Sequence, residues 1–232
     1  MSRHIGIVGC SAEGAALCYR TICIEAPARM GRHAHPEVSM HTHSLADYVR
    51  HIDSGDWQGV AALMVSSARK LEAAGADFLI CPDNTIHQAM ASVAPASPLP
   101  WLHIAEVVAE EAVGCGFRRL GITGTRSLVD SDVYPAKLAE RGVEWVRPGV
   151  EDRTEIDRII MEELVCGIFA PEAVTFFQGA IGRLAQAGCD GVVLGCTEIP
   201  LIMNDRNSPL PTLDSTRLLA RAALDRAVSL TG

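Results

Sequence analysis

The chain has 232 residues, 48% of them hydrophobic, enough to fill one large α/β domain or two lobes of ordinary domain size. Its net charge is -8, and the 20 Lys and Arg residues are dispersed with no basic run, so nothing marks a phosphate-binding surface and nucleic acid is excluded as an expected partner. No apolar run reaches the roughly 20 residues that span a bilayer, so a soluble protein with no membrane partner is expected.

Strand-length apolar runs alternate with helix-period segments along the whole chain. In order, the pattern predicts a strand over Ile5–Val8, a helix over Ala12–Glu25, a strand over Val38–His41 and a helix over Gly59–Ala74. Strands over Phe78–Cys81 and Trp101–Ile104 follow, then a helix over Ala105–Cys115 and strands over Leu120–Thr123 and Val143–Val146. Helices over Arg153–Cys166 and Pro171–Ala187, a strand over Val192–Gly195 and a helix over Thr216–Leu230 complete the series. Such alternation predicts βαβ units, hence an α/β fold of parallel sheets flanked by helices.

Two stretches repeat one plan. Leu71-Glu72-Ala73-Ala74-Gly75-Ala76-Asp77 and Leu184-Ala185-Gln186-Ala187-Gly188-Cys189-Asp190 each end a helix on a glycine suited to a left-handed cap and then start a strand. The repeat implies two pseudo-symmetric lobes, residues 1–114 with 215–232 and residues 115–214, with the active site expected in the cleft between them. In open parallel sheets, ligands bind beyond the carboxyl ends of the strands.

Eight cysteines (Cys10, Cys18, Cys23, Cys81, Cys115, Cys166, Cys189, Cys196) lie mostly in apolar helix or strand patterns, where a small buried hydrophobe is the usual role. The opening His4-Ile5-Gly6-Ile7-Val8-Gly9 is strand-like and carries no signal-peptide pattern, so reducing cytosol is the expected compartment. No CxxC pair or zinc-ligand spacing is present, and no metal is expected. Gly9-Cys10-Ser11-Ala12-Glu13-Gly14 lacks the GxGxxG spacing and the following acidic residue of a dinucleotide site, which leaves no expected cofactor.

The chemistry concentrates at two strand ends. Val192-Val193-Leu194-Gly195 delivers Cys196 to a turn and is followed at once by Thr197 and Glu198, which is where a reactive thiol would be placed; a buried strand-end cysteine is the bland alternative. Phe78-Leu79-Ile80-Cys81-Pro82 likewise empties into Asp83, Asn84 and Thr85, a carboxylate and short polar side chains that also suit a helix cap near Ile86. Ser11 and Glu13 follow the first strand and are expected at the crevice floor, with Ser11 also a good N-cap residue. Thr125, in Thr123-Gly124-Thr125-Arg126, is expected in a carboxylate-binding turn. His35, His41 and His43 read as pocket or surface histidines, His87 as a neighbour of Asp83 or a solvated helix residue, and Glu151-Asp152-Arg153-Thr154-Glu155 as a solvated helix start.

Together these motifs resemble the aspartate/glutamate racemase family. The second family motif, glycine-cysteine-threonine-glutamate, stands intact as Gly195-Cys196-Thr197-Glu198. The first, cysteine-asparagine-threonine, reads Asp83-Asn84-Thr85, with aspartate in place of cysteine. Ile5-Gly6-Ile7-Val8-Gly9-Cys10-Ser11-Ala12-Glu13, Gly121-Ile122-Thr123-Gly124-Thr125, Ile159-Ile160-Met161-Glu162-Glu163-Leu164 and Asp214-Ser215-Thr216 extend the similarity over nearly the whole chain. The resemblance implies a cofactor-independent, PLP-independent homodimer whose two bases, Asp83 and Cys196, move an α-proton of a small carboxylate. In it, Asn84, Thr85 and Thr197 hold the substrate carboxylate; Ser11, Thr125 and Glu198 are expected from their strand-end positions as further substrate-binding residues. The family's side-chain-binding Arg and Lys have no counterparts near Tyr48 and Val165, which argues against an acidic substrate preference.

Inverting a carbon without a cofactor requires one group to remove the α-proton and another to deliver a proton to the opposite face. An ordinary carboxyl at about 3.9 is much less basic than a thiol at about 8.5, a handicap of about 6 kcal/mol in proton transfer. Burial raises a carboxyl pKa and offsets part of it. Cys81 points to the same face as Asp83 but lies about 6.6 Å deeper along the strand. An amino-acid racemase or epimerase is therefore the expected function. The alternatives are a single-cysteine decarboxylase or cis-trans isomerase, resembling the arylmalonate decarboxylases or maleate isomerases of the same superfamily, and a catalytically retired carboxylate-binding protein.

Overall fold

A computed structural model describes residues 2–229. The chain runs β1 (Ile5–Gly9), α1 (Ala12–Glu25), α2 (Pro27–Met30), β2 (Val38–Thr42), α3 (Leu45–Asp53), α4 (Trp57–Ala73), β3 (Phe78–Ile80), a 3-10 turn (Thr85–Ala89), α5 (Met90–Ala96) and β4 (Trp101–Leu102). It continues through α6 (Ile104–Gly114), β5 (Arg119–Thr123), α7 (Arg126–Val129), α8 (Val133–Ala139), β6 (Glu144–Val146), α9 (Val150–Arg158), α10 (Pro171–Gln186), β7 (Gly191–Leu194), β8 (Thr212–Asp214) and α11 (Ser215–Val228). Two compact units result, Met1–Ile104 with Thr216–Gly232, and Ala105–Ser215.

The first unit holds a four-stranded sheet in the order β2-β1-β3-β4, and the second a four-stranded sheet in the order β6-β5-β7-β8, every pairing parallel. The two orders are the same plan used twice, and this is the two-lobe α/β fold expected from the alternation. Ile5, Ile7, Val8, Val192 and Val193 are fully buried, because a central parallel strand is covered on both faces and must be apolar along its length. In each sheet the chain first steps to one side of the opening strand and then to the other. The crevice at that reversal lies between the carboxyl ends of β1 and β3 in the first unit, and of β5 and β7 in the second.

The repeated helix-to-strand segments fold alike. Gly75 and Gly188 take φ of 91° and 87°, the left-handed region that lets α4 and α10 stop abruptly. The aspartate two residues on then fastens the start of the central strand. Asp77 accepts from the His4 N–H at 2.6 Å and donates its own N–H to the His4 carbonyl at 2.9 Å. Asp190 accepts from the N–H groups of Arg118 and Arg119 at 2.8 and 3.0 Å and donates to the Arg119 carbonyl at 2.9 Å.

Several elements differ from the sequence reading. α6 groups with the second unit from Ala105 on, ahead of the division expected after residue 114; Lys137 of α8 and Arg141, just beyond that helix, hold Glu106 and Glu110 of α6, each at 2.6 Å. The helix expected over Arg153–Cys166 is α9, then a π-helical turn over Ile159–Glu163 and a 3-10 turn over Leu164–Cys166. The wider turn keeps Ile156, Ile159, Ile160 and Leu164 all buried on one side. The end of the helix expected over Thr216–Leu230 lies partly outside the described residues. Among the described residues, no helix is long and apolar enough to cross a membrane.

The core of the second unit joins α9, α10 and β7 through Ile156, Phe177, Ile181, Leu184 and Val192. Phe177 is fully buried there, and Phe177→Ala is expected to lower unfolding free energy by about 3–5 kcal/mol, read as a shift of the urea midpoint.

Candidate active site

All eight site residues expected from the sequence follow one of the four strands that flank a sheet reversal. Ser11 follows β1 and Asp83, Asn84 and Thr85 follow β3, while Thr125 follows β5 and Cys196, Thr197 and Glu198 follow β7. Each unit thus gathers its own set at the place where its topology opens a crevice.

In the first unit, Ser11 caps α1, its hydroxyl accepting from the Gly14 N–H at 3.2 Å, and Glu13 is exposed on the first turn of that helix. Asp83 is half-buried, and its Oδ1 accepts from the Ile86 N–H at 3.1 Å, so this carboxylate caps the 3-10 turn. Asn84 is buried and Thr85 half-buried beside it. His87 is not a solvated helix residue: it is buried, its Nδ1 donates to the Asp83 carbonyl at 2.6 Å, and its Nε2 accepts from the Ile104 N–H at 3.3 Å. Those two bonds define the neutral Nδ1–H tautomer and clamp the Asp83 turn to the start of α6. The His103 ring packs edge-on against it at 4.6 Å between centroids. Cys81 is fully buried, and burial together with the neighbouring Asp83 carboxylate pushes its thiol well above the usual range, so it is a packing residue.

A polar chain lies under the same sheet end. The Lys70 ammonium donates to His41 Nε2 at 2.9 Å, which leaves His41 Nδ1–H to donate to the buried Ser67 hydroxyl at 2.9 Å. His43 bonds Ser66 at 3.2 Å and stacks edge-on against His41 at 4.9 Å. Tyr48, fully buried in the core with Cys10, Cys81 and Ile86, was expected only as a place where a family cation is missing. Its burial follows from α3, a helix that the sequence pattern did not reveal.

In the second unit, Thr125 caps α7, its hydroxyl accepting from the Leu128 N–H at 3.3 Å. A Cβ at Gly195 would stand 2.5 Å from the Thr123 carbonyl oxygen, so only glycine lets the chain leave β7 this close to β5. Cys196 does not face an open turn: it is 8% exposed and packs with Leu194, Ile199 and Met203. Its Sγ–H donates to Glu198 Oε2 at 2.9 Å, and the Thr197 hydroxyl donates to the same oxygen at 2.7 Å. Glu198 is itself buried. A buried carboxylate requires donors, and here the thiol and the hydroxyl supply them. Chemically, this sets a proton acceptor directly against the thiol. The Ser215 hydroxyl steadies the end of β7 by donating to the Leu194 carbonyl at 2.9 Å.

Glu198→Ala leaves a buried thiol and hydroxyl without their acceptor and is expected to lower stability by about 1–3 kcal/mol in urea denaturation. His41 and His43 have pKa values lowered by burial and by Lys70, below the usual 6.5. The unfolded chain therefore binds more protons than the fold just below that value. Stability from this pair is complete above pH 6.5 and is lost as pH falls through the folded pKa values, a decline in urea midpoint that His41→Gln flattens.

The Asp/Glu/Hydantoin racemase family model matches residues 5–223. A relative named broad specificity amino-acid racemase RacX, from Bacillus subtilis (strain 168), is 24% identical over 164 residues, covering 69% of each chain. A Yersinia pestis protein provisionally described as an Asp/Glu racemase has a solved structure with a TM-score of 0.90 at 30% identity, over 98% of this chain and 100% of that one. An aspartate racemase homologue from Pyrococcus horikoshii OT3 gives 0.85 at 27% identity, over 99% and 100%. With its fold, its duplicated sheet order and a family match over nearly its full length, the chain belongs to the Asp/Glu/hydantoin racemase family.

Proposed function

We propose that the protein is a cofactor-independent racemase or epimerase acting on an amino acid or similar small carboxylic acid, with Asp83 and Cys196 as its proton-transferring pair. The observation that carries this reading is the buried Cys196–Glu198–Thr197 group at the end of β7. In one direction the thiol passes its proton to Glu198, and the thiolate takes the α-proton. A protonated Asp83 then returns a proton to the opposite face of the carbon. In the other direction the Asp83 carboxylate removes the proton and the Cys196 thiol delivers one. Asn84, Thr85 and Thr197 hold the substrate carboxylate and stabilise the charge of the enediolate. The Thr197 hydroxyl donates to Glu198, so turning it to the substrate exchanges one carboxylate acceptor for another. A cytoplasmic homodimer is part of the same proposal.

One observation favours a second reading. Asp83 already caps the turn at Ile86, a structural task that a carboxylate performs without any catalytic duty. On that reading Cys196 acts alone, as in a decarboxylase or cis-trans isomerase, or the crevices bind a carboxylate without turnover.

The test is an NMR screen of amino acids and small carboxylic acids in D₂O. The expected result is solvent deuterium at the α-carbon of both enantiomers of a substrate, with Cys196→Ala slowing exchange by about 10²- to 10⁴-fold. Turnover of malonates or maleate without α-exchange of any amino acid identifies the one-thiol enzyme, and binding without change identifies the retired protein.

A further inference from the structure

The polar chain beneath the first sheet leads to a residue that the proposed pair does not use. Lys70 is exposed on α4, and its ammonium has hydrogens to give and no lone pair to offer, so it can only donate to His41 Nε2, at 2.9 Å. That bond fixes the order of those that follow. His41 carries its hydrogen on Nδ1 and donates it to Ser67 at 2.9 Å, and the fully buried Ser67 is left with its own O–H to give. Burial, with Lys70 and His43 beside it, holds the His41 pKa below the usual value, so the ring is neutral and the order stands at neutral pH.

Tyr48 is the next hydroxyl. Its side chain is fully buried on α3 in one cluster with Cys10, Cys81 and Ile86, and its oxygen faces Ser67 without reaching full hydrogen-bond geometry. Burial, with Cys81, Cys10 and Asp83 nearby, holds this hydroxyl far above the usual tyrosine range, so it is a neutral phenol with a hydrogen to donate. Ile86 of the same cluster supplies the N–H that Asp83 Oδ1 accepts at 3.1 Å. A desolvated phenol without an acceptor is costly, whereas phenylalanine fills nearly the same volume at no such cost. The titratable groups facing the chain are Lys70 on α4, His41 and His43 at the end of β2, Asp47 on α3, Cys10 after β1, and Cys81 and Asp83 after β3. Lys70 is the cation of this set.

We propose that Lys70, His41, Ser67 and Tyr48 are positioning residues of the first unit: a one-way chain of donors that turns the Tyr48 O–H toward the ends of β1 and β3 and favours the ionised, proton-accepting form of Asp83. A donor, and a cation behind it, both stabilise a carboxylate relative to its acid. The chain touches no reacting atom and carries no proton to the substrate. Its effect is to settle which member of the pair starts as the base: Asp83 begins ionised, and Cys196 begins as the thiol that donates to Glu198. The inference rests on the proposed function for the task of Asp83.

The test follows the Asp83 carboxyl carbon by NMR in the full chain labelled with ¹³C-aspartate, using Asp83→Asn to assign its signal. Its apparent pKa is expected to rise by about one pH unit or more in Tyr48→Phe and in Lys70→Met, and to stay near the wild-type value in Lys70→Arg, which keeps a cationic donor. Tyr48→Phe is expected to melt at the wild-type temperature or above, because it removes a hydroxyl that lacks a partner. Where an amino acid exchanges its α-proton, the acid limb of kcat/KM for the direction that starts from ionised Asp83 moves to higher pH by the same amount in Tyr48→Phe and Lys70→Met. A packing role moves neither the titration nor the limb. An Asp83 titration unmoved in either variant, or moved as far by Lys70→Arg as by Lys70→Met, overturns the chain. The carboxyl titration needs no turnover, so absence of exchange defeats the proposed function alone, and exchange with an unmoved Asp83 titration defeats the chain alone.

Discussion

A strand with a parallel partner on each side and helices over both faces has nowhere along its length to keep a polar side chain in water. That constraint governs β1 and β3 in the first unit and β5 and β7 in the second. Their buried positions are filled by Ile5, Ile7, Val8, Leu79, Ile80, Ile122, Val192 and Val193, and polarity is confined to the strand ends. Because each sheet also reverses direction between its two central strands, the first polar residues after them collect at one crevice per unit. Ser11, Asp83, Thr125 and Cys196 owe their places to this exclusion from the strands.

The buried thiol shows how the same exclusion shapes reactivity. A cysteine in an apolar core is ordinarily an inert small hydrophobe, as Cys81 is. Cys196 differs in having Glu198 two residues on, folded back so that one carboxylate oxygen receives both the thiol and the Thr197 hydroxyl. The carboxylate is kept in the core by its two donors, and each donor is kept by the carboxylate. Three adjacent residues therefore share one buried contact at the end of a strand.

Much of the fold could be read from the sequence because apolar runs of four or five residues, bounded by glycine or polar residues, mark buried parallel strands. α1 was found with its observed limits, since Ser11 caps it and its apolar spacing is regular. β8 was missed: Thr212-Leu213-Asp214 carries one apolar residue and gains its identity only by pairing with β7. α3, α7 and α8 are short and lack a long amphipathic period, so tertiary packing and not local pattern defines them. At the site, the strand-end positions were visible, but the bonds were not. His87 reads locally as a helix histidine, and its burial depends on the Ile104 N–H 17 residues away. The Cys196–Glu198 contact depends on a turn whose geometry no spacing rule encodes.

The division of the chain has a consequence for the order in which the protein is made. The second unit is one uninterrupted stretch, whereas the first is assembled from the opening residues and from α11, whose Arg221, Asp225 and Ala227 reach back to Glu25, Arg29 and Arg3. On the ribosome, the later sheet has every strand it needs while the earlier one still lacks its closing helix. The first unit is thus completed only after the second has been made, and the nascent chain must keep the uncovered flank of its earlier sheet soluble until α11 follows.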